Sequence, residues 1–192
     1  MRFMKPTMMI ITALGLLGGC HVLGNMQETT RFEVQGERLL MNGDINSRTY
    51  DQFMTVMADN PQITVIVEQD MPGSMDDDTM IKLAYKVRAL GLNTYLEADS
   101  EIYSGAVDLF LAGVQREAEP GAVIGVHSWS GPFGVEAMDF PRGAAAHEQN
   151  RKYIEDMLGQ DDFYWFTIEA APADGLHIMT RAEVARFGLL TP

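Results

Sequence analysis

Apolar residues recur along the chain with two spacings, one typical of strands and the other typical of helices. Short apolar stretches that are predicted to be strands occur at 32–34, 39–41, 63–67, 94–96 and 123–127. The third and the fifth have almost no polar alternation, which is typical of strands covered on both faces. Because helical patterns lie between these strands, the sequence predicts an α/β fold with a mostly parallel sheet built from repeated strand-helix units.

Helical segments are predicted between the strands and near the C-terminal end. One begins near Ser47, the expected N-cap, and a second follows the three aspartates at 76–78, whose charges favour a helix N-terminus. A third begins at Ser104 and is apolar on almost every side, which is typical of a helix buried in a core. The last covers 180–187 and is closed by Gly188.

Two segments in the C-terminal part are predicted to lie at the surface. Residues 144–158 form a mostly polar helix, which is expected to project from the core, and the aromatic segment FYWF follows at 163–166. Exposed apolar side chains often mark contacts between proteins. Both segments are therefore candidate contacts between copies of this chain in a homo-oligomer.

The N-terminal segment differs in composition from the rest of the chain. It carries Arg2 and Lys5, then an apolar run at 8–17, and then the sequence LGGC, which ends at Cys20. This order is typical of a secretory signal, and the run is too short for a stable membrane-spanning helix. The ending resembles the bacterial lipoprotein signal, which implies that 1–19 is a signal peptide and that Cys20 is lipidated.

The same resemblance implies the location, and it makes residues 20–30 the lipidated N-terminus and a tether. The length and apolar content of the chain favour one well-cored domain, which would cover residues 31–192. Cys20 is the only cysteine, so the domain is expected to be held by its core without a disulfide. His21 follows where an aspartate would favour the inner membrane, which implies an outer-membrane anchor facing the periplasm. The alternatives are an inner-membrane anchor and a soluble periplasmic protein.

Charge and motifs narrow the classes of partner. The chain has 14 basic and 27 acidic residues, a net charge of −13, and loss of Arg2 and Lys5 with the signal would make it −15. Such a surface repels nucleic acid and anionic headgroups, so membrane attachment would depend on the lipid. The sequence has no phosphate loop, dinucleotide fingerprint or cluster of metal ligands. No nucleic-acid partner, cofactor or metal is therefore expected.

Ser104 and His127 are the candidate catalytic residues. His127 ends a buried strand, where α/β folds gather ligands and catalytic groups, and Ser104 opens the buried helix. A neutral imidazole can take the proton of a serine hydroxyl, and the N–H group of Gly105 could stabilise the resulting oxyanion. Taken singly, Ser104 is also compatible with a helix cap and His127 with a structural histidine. His147 lies on the polar helix and is expected at the solvated surface.

Five segments resemble, in order and spacing, the Clp protease proteolytic-subunit family within the crotonase-like superfamily. They are LLMNGDIN, TVIVEQDMPGS, EIYSGAVDLFLAG, PGAVIGVHSWSG and MTRAEVARFGLLT. The resemblance covers nearly all of 39–191. The resemblance implies a serine hydrolase, most simply a peptidase acting on peptides or proteins, with Ser104 as nucleophile and His127 as general base. It also implies an oxyanion-binding turn at Gly73 and Ser74.

The sequence departs from this family's pattern at two positions. The second glycine of the oxyanion turn is replaced by Ser74, and the triad's aspartate aligns with Leu176. Asp174 is the expected substitute through a shifted loop, and Asp139 is a less favoured one. An aspartate there would hold the imidazole tautomer. Without it, the alternative function is a catalytically weak or inactive lipoprotein that acts as a binding or scaffold protein.

Overall fold

The computed structural model describes residues 30–192. The predictions of a signal peptide, of lipidation at Cys20 and of a tether fall on residues that lie outside this range, except for Thr30. In the described residues, no helix is both long and apolar enough to cross a membrane.

The described chain contains seven strands and six α-helices. The strands are β1 (Arg31–Gln35), β2 (Arg38–Asn42), β3 (Val65–Met71), β4 (Asn93–Tyr103), β5 (Arg116–Ala118), β6 (Val123–Val126) and β7 (His177–Ile178). The helices are α1 (Thr49–Asp59), α2 (Asp77–Ala89), α3 (Gly105–Leu111), α4 (Glu148–Leu158), α5 (Asp162–Ala170) and α6 (Arg181–Arg186). Each of the five predicted strands has a counterpart, and the short strands β5 and β7 were not predicted.

All the strands belong to one sheet, in the order β1-β2-β3-β4-β6-β7, with β5 paired to the first half of β4. The pairs β2–β3, β3–β4, β4–β5 and β4–β6 are parallel. Only the β1–β2 hairpin and the short β6–β7 pair are antiparallel. The predicted α/β fold with a mostly parallel sheet is therefore confirmed.

Helix α3 is enclosed by the core, as its composition predicts. Asp108 is the only residue of this helix that is not buried. The last turn of α3 leaves carbonyl groups without intrahelical partners. The Arg88 side chain, from α2, donates hydrogen bonds to the carbonyl oxygens of Leu111, Ala112 and Gly113 at 2.8, 2.8 and 3.3 Å. A buried helix end is thus satisfied by a side chain from the neighbouring helix.

Two predicted details of the helices were wrong. Helix α1 begins at Thr49 and not after an N-cap at Ser47, because the Thr49 hydroxyl accepts a hydrogen bond from the Asn46 N–H at 2.9 Å and so stabilises the turn before the helix. The predicted helix at 144–158 starts regular α-helix only at Glu148, after a 3-10 turn.

Helix α4 also does not project from the core. Its narrow apolar stripe, formed by Tyr153, Ile154 and Met157, is buried, and the Tyr153 hydroxyl donates to the Asp108 carbonyl oxygen at 2.5 Å. Phe163 and Tyr164 of the aromatic segment are likewise buried within the chain. These side chains are therefore already covered, which leaves the half-buried Trp165 and Phe166 as the accessible part of that segment.

Candidate active site

Ser104 lies in the sharp turn between β4 and α3. Its backbone has φ 52° and ψ −125°, a conformation that non-glycine residues rarely adopt. The Ser104 N–H donates to the Gly125 carbonyl oxygen at 3.0 Å, and the Ser104 carbonyl accepts from the Val107 N–H at 2.9 Å. The side chain makes no cap hydrogen bond to α3. The Ser104 side chain therefore does not cap the helix, and a strained strand-to-helix turn displays the nucleophile in α/β-hydrolases.

The sheet brings His127 to the same edge as Ser104. Strands β4 and β6 are parallel neighbours in which Tyr103 pairs with Gly125, so the residues that follow both strands emerge together. Ser104 and His127 line one cavity of about 60 Å³. The next residue, Ser128, is buried, and its N–H donates to the Ala171 carbonyl oxygen at 2.9 Å, which fixes the loop that carries the histidine.

A backbone carbonyl sets the tautomer of His127. The ring Nδ1 lies 2.7 Å from the Ser128 carbonyl oxygen. Since a carbonyl can only accept, Nδ1 carries the proton, and the neutral ring then has its lone pair on Nε2. Nε2 makes no hydrogen bond to any residue between 30 and 192. His127 thus has the tautomer that a general base for a serine requires.

The predicted oxyanion turn lies against Ser104. Gly73 has φ 144°, and a Cβ added to it would lie 3.2 Å from Ser104 Cβ and 3.7 Å from its Oγ. A Cβ on Gly105 would lie 2.5 Å from Ser74 Cβ. Close approach of the two segments therefore requires both glycines. Ser74 is not among the described residues with positive φ, so the replacement of a glycine by serine introduces no backbone strain there.

Three backbone N–H groups around Ser104 are free to bind an anion. Those of Gly73, Ser74 and Gly105 make no hydrogen bond within the described chain. Unpaired N–H groups beside a nucleophile are the donors that stabilise a tetrahedral oxyanion. The structure thus places the residues predicted for the oxyanion hole next to the residue predicted to be the nucleophile.

The predicted third member of the triad is not brought to His127. Asp174 is exposed, in the loop between α5 and β7, and does not line the cavity. Asp139 instead accepts a hydrogen bond from the Glu136 N–H at 2.9 Å. Leu176 reaches over Gly125, where an added Cβ would lie 2.9 Å from its Cδ1. The role of Asp174 stays a prediction, and the observed partner of His127 Nδ1 is the Ser128 carbonyl.

The cavity also contains residues that the sequence did not point to. Its polar lining includes Asp77 of α2, Asp108 of α3, Asn150 of α4 and Tyr164 of α5. Burial, and then the negative charge of Asp77, raise the pKa of Asp108 to about 7. The only sequence signal for Asp108 is that it is a single charge in an otherwise apolar helix.

The pKa of Asp77 is also raised. The largest cause is partial burial, which a hydrogen bond from the Ser74 hydroxyl opposes, and the charges of Asp76 and Asp78 raise the pKa further. The side chain remains exposed on one side, which places Asp77 at the rim of the cavity. Two acidic groups with raised pKa values thus lie beside the candidate nucleophile.

His147 is buried, which corrects the prediction of a solvated surface histidine. Its Nε2 donates to the Phe140 carbonyl oxygen at 3.4 Å, so Nδ1 accepts the hydroxyl proton of Tyr164 at 2.7 Å. The Tyr164 oxygen in turn accepts from Trp129 Nε1 at 3.0 Å. The helix is polar in sequence, but aromatic neighbours cover this histidine, and the resulting network fixes the Tyr164 wall of the cavity.

Comparison with known proteins finds similar folds among solved structures. No protein-family model matches the sequence, and no curated protein matches it. Among solved structures, a lysine-to-alanine mutant of the 1510-N membrane-bound stomatin-specific protease in complex with a substrate peptide has a TM-score of 0.55 and 20% identity, over 79% of this chain and 71% of that chain.

Two further solved structures share this fold. The ClpP1 of Listeria monocytogenes, in a mutant form, has a TM-score of 0.56 and 16% identity, over 81% of this chain and 89% of that chain. An enoyl-CoA hydratase/isomerase from Cupriavidus metallidurans CH34 has a TM-score of 0.50 and 15% identity, over 85% of this chain and 67% of that chain. The chain therefore has the α/β fold of ClpP-like and crotonase-like proteins, and identities this low show the fold alone.

Proposed function

We propose that this protein is a serine hydrolase, and more specifically a peptidase, with Ser104 as nucleophile and His127 as general base. One observation carries the proposal. Ser104 is held in a strained turn, φ 52°, in the same cavity as a histidine whose Nδ1 proton is fixed on a backbone carbonyl. Strain of this kind costs about 1–3 kcal/mol, and it persists where the surrounding fold enforces it, most often at functional sites.

The proposed reaction follows from this arrangement. His127 Nε2 takes the hydroxyl proton of Ser104 while Oγ attacks the carbonyl carbon of the substrate, and backbone N–H groups from Gly73, Ser74 and Gly105 bind the oxyanion. His127 then gives the proton to the leaving amine nitrogen, the C–N bond breaks, and an acyl-enzyme remains on Ser104. Water attacks this ester with His127 as base, which releases the carboxylic acid and returns the proton to Ser104.

The Ser128 carbonyl performs one of the two tasks of a triad aspartate. It holds the tautomer of His127, but as a neutral group it stabilises the imidazolium less than a carboxylate does. We therefore expect slower turnover than a complete triad supports. The exposed position of Asp174 favours, as the second candidate, the weakly active or inactive scaffold protein.

Substrate class and location belong to the same proposal. The solved complex of the stomatin-specific protease with a substrate peptide supports peptides as substrates. The LGGC sequence ending at Cys20 supports a lipid-anchored protein that faces the periplasm from the outer membrane. Self-association is proposed only by resemblance to the Clp protease family.

Ester hydrolysis by the purified domain tests the proposal. A peptidyl thioester substrate should give a burst of one thiol per protein molecule, followed by slow turnover, because a thioester should acylate Ser104 faster than water hydrolyses the resulting ester. Ser104→Ala should remove both phases, whereas Ser47→Ala, at an exposed serine, should keep both. A burst that survives in Ser104→Ala would contradict the proposal, and absence of any burst or turnover in the wild type would favour the scaffold function.

A further inference from the structure

The cavity beside Ser104 is lined by two carboxyl groups and, among the described residues, by no lysine or arginine side chain. The two carboxyl groups are those of Asp77 and Asp108. The Asp108 carboxylate has no hydrogen-bond donor in the described chain. A carboxyl group withdrawn from water ionises readily only when a cation or hydrogen-bond donors compensate its charge, and this cavity provides no such group for Asp108.

Asp108 is placed where it can act on a bound substrate. It lies in the first turn of α3 and lines the same cavity as Ser104, and its side chain is only partly buried. The other titratable groups around it are Asp77 on α2, Tyr153 on α4, Tyr164 on α5 and His127 after β6. Glu68 on β3 faces the same tyrosine, Tyr153.

The remainder of the lining fits a slender aliphatic chain. Val126, Ile154 and Ile168 provide apolar surface. The volume of about 60 Å³ is a few times the roughly 10–15 Å³ that one water requires on this measure. An unbranched methylene stem that ends in one ammonium group matches both the width and the charge, and long basic side chains bury their stems in this way.

We propose that this cavity is a specificity pocket for the lysine side chain that precedes the cleaved bond, with Asp108 and Asp77 binding its ammonium group. The inference rests on the proposed function, because it assigns the substrate side chain of the same site. The lysyl carbonyl would then lie at Ser104 Oγ, and the ammonium would supply the positive charge that the cavity lacks. A neutral side chain of the same length would leave the Asp108 carboxylate uncompensated.

Paired substrates test this assignment. Thioesters of acetyl-Ala-Ala-lysine and acetyl-Ala-Ala-norleucine differ only at the end of the side chain, and the measured quantity is the ratio of their kcat/KM values. Ser104 and His127 act on both substrates in the same way, so their contribution cancels in this ratio. The wild-type ratio should favour lysine by at least roughly tenfold at pH 8 and should fall towards one at pH 6, where Asp108 becomes protonated.

Two variants distinguish the effect of the pocket carboxylate from the effect of the protein's overall charge. Asp108→Asn should bring the ratio near one at both pH values by lowering kcat/KM for the lysine substrate. Asp51→Asn removes one exposed carboxylate on α1 and should leave the ratio unchanged. A wild-type ratio near one at pH 8, with Ser104-dependent norleucine hydrolysis, would overturn the lysine assignment and keep the hydrolase. Absence of Ser104-dependent hydrolysis of either ester would overturn both.

Discussion

At the scale of single residues, Ser104 combines a positive φ with a side chain that has a Cβ, and these two properties rarely occur together. Among the described residues only Ser104 and Phe133 have positive φ without being glycine, and Phe133 is fully exposed in a surface loop. At position 104 the surrounding turn is fixed by backbone hydrogen bonds and by the close approach of Gly73. Glycine would adopt this backbone at lower cost. The presence of serine at this position is explained if its hydroxyl has a chemical role.

This cost can be measured with two variants at the same position. Ser104→Gly should be more stable than Ser104→Ala by about 1 kcal/mol, because only alanine keeps a Cβ on a backbone with positive φ. Both variants should lack hydrolysis. Urea unfolding monitored by circular dichroism provides the free energies of unfolding. Equal stability of the two variants would show that the turn relaxes and that Ser104 is not strained.

At the scale of elements, the hydrophobic pattern predicted the sheet and the buried helix because strands and core helices differ in spacing and polarity. Segments governed by a few side-chain contacts escaped prediction. The buried Arg116 donates to carbonyl oxygens of Leu189, Gly113 and Gly188 and so ties the C-terminal segment to the end of α3, a role that composition does not reveal. The packing of α4 depends on three apolar positions in an otherwise polar helix.

The difference between patterned segments and individual contacts also explains which parts of the candidate site could be predicted. The resemblance to the Clp protease family predicted roles for Ser104, His127 and the turn at Gly73, because these residues stand in recognisable segments. The support of His127 by the Ser128 carbonyl could not be predicted, since any residue provides a carbonyl and only the loop geometry directs it. The position of Asp108 at the cavity could not be predicted either, because it depends on how α2, α4 and α5 pack around α3.

At the scale of the whole molecule, one buried acid opposes the stability of the fold. Glu68 lies in β3 with no exposed surface, and neither carboxyl oxygen has a hydrogen-bond partner in the described chain. Burial raises the pKa of Glu68 well above its ordinary value of 4.5. The folded protein therefore holds this proton at pH values where the unfolded chain has lost it, and stability falls as pH rises through that window.

Glu68→Gln tests this contribution. The wild-type free energy of unfolding should decrease between pH 4.5 and the raised pKa by up to about 1.4 kcal/mol per pH unit from this group. The variant should lose that part of the slope and should be more stable than the wild type at neutral pH. Urea unfolding from pH 5 to pH 8 measures both slopes. Glu37→Gln, at an exposed position, is the control, and a Glu68→Gln slope equal to the wild-type slope would refute the assignment.

The central claim, that Ser104 is a nucleophile activated by His127, is tested most directly by mapping where a fluorophosphonate reacts. The account predicts one phosphonyl group per molecule on the peptide that contains Ser104, identified by mass spectrometry. It also predicts that His127→Ala slows this reaction by roughly a hundredfold or more, because the hydroxyl loses its base. An adduct on any other residue, equal labelling of Ser104→Ala, or no labelling of the folded wild-type protein would contradict the claim.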